Sequence, residues 1–65
     1  MLSVEYYVLA LDDSVCLGSN VTLDQARMAR AEALRSKPRW TLSIWRCRRH
    51  IAPHDPIPED SEWVE

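Results

Sequence analysis

Between Ser3 and Leu11 the chain reads SVEYYVLAL, a run rich in Val, Tyr and Leu that predicts a strand. Val4, Tyr6, Val8 and Ala10 share one of its faces, and Glu5, Tyr7, Leu9 and Leu11 share the other. Neither face is cleanly polar, the pattern of a central strand or of one covered on both sides. Asp12-Asp13-Ser14 reads as a turn, because short Asx and Ser side chains satisfy the local backbone. Val15-Cys16-Leu17 follows as a short return strand, closed by Gly18-Ser19-Asn20.

The pattern then changes period. Thr22-Leu23-Asp24-Gln25 fits a capping box, with the Thr hydroxyl and the Gln side chain taking up orphan backbone N–H groups. Val21 is placed to staple onto Ala26, and Asp24 complements the positive end of the helix dipole. The helix is expected to run to about Ser36, because Pro38 blocks continuation and Arg35 and Lys37 suit a C-terminal end. Leu23, Ala26, Ala29, Ala33 and Leu34 share one face, mostly small, so the helix can lie close to a sheet. Arg30 falls in the middle of that face. Either its aliphatic stem carries the charge past the core edge, the preferred reading, or it pairs with Glu5 or a tail carboxylate.

Residues 40–49, WTLSIWRCRR, predict a second long strand. Trp40, Leu42 and Ile44 alternate with Thr41 and Ser43, after which Trp45 and Cys47 take the other side and Arg46 and Arg48 continue the first. A strand whose core face turns basic reads as one that has run past the edge of its core. Beyond it, Pro53, Pro56, Pro58 and a closing acidic run predict an extended or disordered tail with Trp63-Val64 as a candidate anchor. The fold expected is α+β: a small antiparallel sheet of about three strands, in the order β-β-α-β, packed on one helix. Residues 1–51 form the domain and residues 52–65 the Pro-rich acidic tail.

Size limits what such a domain can do. A chain of 65 residues buries only about 60% of the surface its unfolded form exposes, so the core is marginal. The longest apolar run, Tyr6–Leu11, is far short of the roughly 20 residues that span a bilayer. The opening Met1-Leu2-Ser3-Val4-Glu5 lacks a positive n-region, so no signal peptide is expected. Two cysteines are too few for a disulfide scaffold, and the expected compartment is a reducing cytoplasm.

Charge alters the picture more than composition does. Residues 1–25 carry Glu5, Asp12, Asp13 and Asp24 without a Lys or Arg, a balance of −4. Residues 26–49 hold every base against Glu32 alone, +7, and residues 50–65 carry Asp55, Glu59, Asp60, Glu62 and Glu65 for −5. The net charge of −2 therefore conceals a polarised chain. Fields of this kind choose partners and raise association rates.

Three chemistries compete for those charges. Trp45, Arg46, Arg48 and Arg49 could grip nucleic acid, Arg neutralising phosphate and the indole stacking on an unpaired base. An overall pI of 5.6 argues against a simple nucleic-acid binder, and the acidic tail could instead fold back onto these bases. Asp55, Glu59, Asp60, Glu62 and Glu65 in the tail, or Glu5 with Asp12 and Asp13 at one end of the sheet, could imitate a row of phosphates and dock on the basic groove of a partner. Asp12, Asp13, Glu59, Asp60 and Glu62 are the expected contacts, though an acidic tail also serves solubility. Trp45, set opposite Trp40 and Leu42, is expected to be exposed, with the composition of an interface hot spot. Cys47, His50, His54 and Cys16 offer donors compatible with zinc, but without closely spaced Cys pairs; no metal or cofactor is expected, and a Cys16–Cys47 disulfide requires adjacent strands. With no P-loop, nucleophile elbow or paired-carboxylate cleft, an enzyme is not expected.

In its strand Val4–Leu11, capped helix Thr22–Ser36, strand Trp40–Arg49 and acidic ending Glu59–Glu65, the layout resembles the compact anti-CRISPR proteins of phages and mobile elements. The resemblance spans the whole chain, but in size, element order and charge alone. No residue role carries over by position. It implies a stoichiometric, non-enzymatic inhibitor that blocks the DNA-binding or nuclease-recruiting surface of a host CRISPR surveillance complex in the bacterial cytoplasm. The rival readings are a nucleic-acid-binding module built on Arg46–Arg49, and a structural subunit that pairs its sheet edge as a homodimer.

Overall fold

The computed structural model describes residues 5–65, so Ser3 and Val4 of the expected first strand lie outside the described residues. Strand β1 spans Tyr6–Leu11, β2 Val15–Asn20, helix α1 Leu23–Ser36, β3 Leu42–Cys47 and β4 Glu62–Trp63. The strands form one antiparallel sheet in the order β2-β1-β3-β4. The α+β architecture is the expected one, with the tail contributing a short fourth strand.

Local signals act where the sequence places them. Asp12 and Asp13 both take φ 54°, and the turn closes with Ser14 N–H donating to the Leu11 carbonyl at 3.1 Å. Positive φ at two successive residues matches the twist of a tight hairpin, and Asp tolerates it better than most side chains. At the helix start Thr22 Oγ1 accepts from Gln25 N–H at 3.1 Å, while Gln25 Oε1 accepts from Val21 N–H at 3.2 Å. Val21 itself is 61% exposed and outside the cluster around Ala26, so the expected staple is not built. Lys37 caps the other end, its N–H reaching Ala33 C=O at 2.8 Å one residue before Pro38.

The lack of a polar face on β1 has a direct cause: both faces of the sheet are covered. On one side Leu9 and Ile44 pack with Ala26, flanked by Tyr7, Leu17, Leu23, Ala29, Ala33, Leu42 and Val64. On the other, Val8, Cys16, Cys47 and Ile51 form a second cluster with Trp45 and Ile57 against it. The change of sense along β3 is therefore not a strand leaving its core, as the sequence suggested. Leu42 and Ile44 serve the helix side, while Trp45 and Cys47 serve the opposite side. Val8 and Ile44 are fully buried, each worth about 1.5–3 kcal/mol of transfer free energy.

Residues 51–65 run without helix, broken by turns at 53–54 and 59–60, and Ile51 and Ile57 supply the second cover. Ser19 Oγ donates to the Ile51 carbonyl at 2.7 Å and accepts from Ile51 N–H at 3.0 Å, which fixes the entry of this segment over β2. The backbone then follows the outer edge of β2: His54 N–H to Cys16 C=O at 2.8 Å, Cys16 N–H to Asp55 C=O at 2.9 Å, and Ile57 N–H to Ser14 C=O at 3.0 Å. Finally it pairs with β3 through β4, Val64 N–H reaching Ile44 C=O at 2.8 Å. One segment thus shields part of both sheet edges, where unpaired N–H and C=O groups would otherwise invite association. No helix among the described residues is long and apolar enough to cross a membrane.

Candidate interaction surface

Much of the charge separated along the sequence is brought together by the fold. Arg46 on β3 stands opposite Glu62 on β4 and forms an ion pair with it, while Glu5 approaches the same guanidinium at 3.8 Å. Glu65 accepts from Arg27 Nε at 2.7 Å and Nη2 at 3.0 Å, and from Arg30 Nη2 at 3.1 Å. The tail carboxylate is therefore what holds Arg30, in place of the preferred reading in which its stem merely carries the charge past the core edge. Hydrogen bonding to Arg46 and Arg27 holds the carboxyls of Glu62 and Glu65 below the usual glutamate range, and the same contacts push both guanidiniums further up.

The remaining candidates are divided between the two ends of the sheet. Asp12 and Asp13 lie at the β1–β2 turn, beside Thr41, whose carbonyl accepts from Asp12 N–H at 3.0 Å. Asp13 is occupied: its carboxylate accepts from the Ser43 hydroxyl and from Trp45 Nε1 at 3.3 Å. Arg48 and Arg49 follow the far end of β3, exposed. Glu59 and Asp60 precede β4 at that same end, also exposed and in no ion pair among the described residues. Asp12-Asp13 and Glu59-Asp60 are thus separate patches at the two ends of the sheet.

Trp45 is not the exposed aromatic that its position suggested. It is half-buried against the second cluster, and its Nε1 also donates to Ser43 Oγ at 2.9 Å. Trp63 is the more exposed, 63% accessible against 38% for Trp40, and lies directly across the ladder from Trp45. Sequence reasoning treated it only as an anchor. The signal was available in Val64, the apolar neighbour that a strand must turn to the opposite face.

The candidate zinc donors are dispersed. Cys16 and Cys47 are buried free thiols on β2 and β3, with β1 between those strands, so they do not meet the adjacency a disulfide requires. Cys47 Sγ lies 3.1 Å from Ser61 Oγ, and His50 meets Tyr6 edge to face. Among the described residues no three His, Cys, Asp or Glu side chains gather as a metal site would need. Compared with protein families, with curated proteins and with solved structures, the chain matches none.

Proposed function

We propose that the protein is a stoichiometric, non-enzymatic inhibitor that binds another protein and occludes its nucleic-acid-binding surface. Its acidic side chains steer the encounter, and the resemblance to anti-CRISPR proteins makes a host CRISPR surveillance complex in the bacterial cytoplasm the first partner to test. The observation that carries this reading is the fate of Arg46. Arg46, the residue that would open a nucleic-acid grip, is closed between Glu5 and Glu62, whereas Glu59 and Asp60 stay exposed and unpaired among the described residues. A guanidinium already engaged by two carboxylates has little left to offer a phosphate.

The test is capture from a bacterial lysate by the tagged full chain, with and without nuclease, read by mass spectrometry. A nuclease-resistant partner that itself binds nucleic acid is the expected result. Recovery that disappears with nuclease would transfer the function to Arg48 and Arg49.

A further inference from the structure

The interaction edge can be specified further if the protein-binding reading holds. Val64 N–H points to Ile44 and Glu62 pairs with Arg46, so both residues turn their main-chain groups toward β3. By the alternation of an antiparallel ladder, Trp63 turns its N–H and C=O outward, to a side where no described strand lies. The side chains alternate as well. Trp63 lies on the face of Trp45 and the second cluster, and Glu62 lies on the helix face with Arg46. Glu59 and Asp60 extend the negative charge along the approach to this edge, and residues 58–65 hold no base.

We infer that the outer edge of β4 accepts an extended segment of a partner protein, added as a further strand, in which apolar and basic side chains alternate. The apolar set covers Trp63 beside Trp45, and the basic set meets Glu59 and Asp60, exposed and in no ion pair among the described residues. Main-chain hydrogen bonds give such a mode its affinity, and the alternating side chains give it specificity. A second copy of this chain is the poorer occupant of the same edge. Pairing through it would bring two base-free segments, each carrying Glu59 and Asp60 in no ion pair among the described residues, against each other.

The probes are two seven-residue peptides, one alternating Lys and Val and one alternating Glu and Val, titrated into the 15N-labelled full chain. The Lys-Val peptide is expected to shift the amides of residues 61–65 and to lose at least tenfold in affinity for Trp63→Ala. That variant removes an exposed side chain, so the fold should survive it, which the unchanged remainder of the spectrum checks. Equal binding of the Glu-Val peptide, or shifts confined to Arg48 and Arg49, would overturn the inference. Capture of a nuclease-resistant partner by Trp63→Ala as efficiently as by the parent chain would reject this edge while leaving the inhibitor reading standing. Absence of any such partner would reject the inhibitor reading itself.

Discussion

Arg27 grips the Glu65 carboxylate with two near-parallel hydrogen bonds, 2.7 and 3.0 Å, joining the helix to the segment that runs on from β4. The contact is exposed, so solvent and salt weaken it. Its value is geometric: it sets the last turn of chain against α1 while Ile44 holds the same residue's backbone from β3.

Acid should loosen this end of the molecule first. The folded-state pKa values of Glu62 and Glu65 lie below their unfolded values, so their contribution is fully present above the ordinary glutamate pKa of about 4.3 and is lost as pH falls through the folded values. The double variant Glu62→Gln, Glu65→Gln is expected to show a flatter decline in stability below about pH 4.3 than the parent chain. Urea midpoints measured across pH 2–7 in roughly unit steps check this.

Removal of the helix cap should be felt throughout so small a domain. Thr22→Ala takes away the acceptor for Gln25 N–H and is expected to cost about 1 kcal/mol. Thr22→Ser, which keeps the oxygen, should cost much less. Equal losses in urea unfolding would show that the hydroxyl is not the cause.

The hairpin turn offers a change of opposite sign. Asp12 holds φ at 54°, a conformation glycine reaches without steric cost. Asp12→Gly is expected to gain up to about 1 kcal/mol, whereas Asp12→Val should lose stability. Thermal unfolding of the two variants beside the parent chain gives the comparison.

Both thiols should be slow to react. Cys16 is fully buried and Cys47 nearly so, and burial pushes the Cys16 thiol up from its ordinary value. Labelling by an aromatic disulfide reagent should therefore follow opening of the fold and accelerate in urea. The sign for stability is the reverse of the glutamates. The neutral Cys16 thiol contributes stability below the unfolded thiol pKa of about 8.5, and that contribution falls as pH rises above it. Immediate labelling of both cysteines in native buffer would place them outside a closed core.

The sequence made the locally determined features readable. Thr22, Gln25 and Pro38 bound the helix through contacts within a few residues, and the two apolar faces of β1 announced a strand covered on both sides. How residues 51–65 pack could not be read, because Ile51 and Ile57 on one face and Val64 on the other are isolated apolar residues among prolines and acids, with no period to signal packing. That one unseen segment, which reaches both faces of the sheet, explains the other differences. It turns Trp45 inward, gives Cys47 a core to face, and supplies the carboxylate that holds Arg30. It also means that deleting residues 52–65 would strip Ile57 and Val64 from the two clusters, so truncation would test the fold as well as the function.

Residues 51–65 are tied into the folded sheet along both of its edges. Native-state hydrogen exchange measures it most directly at the amides of His54, Ile57 and Val64, whose acceptors are Cys16, Ser14 and Ile44. Clear protection is expected at all three, together with Cys16, whose N–H bonds to Asp55. Exchange at unfolded-chain rates for His54, Ile57 and Val64, while the amides of β1 stay protected, would contradict it.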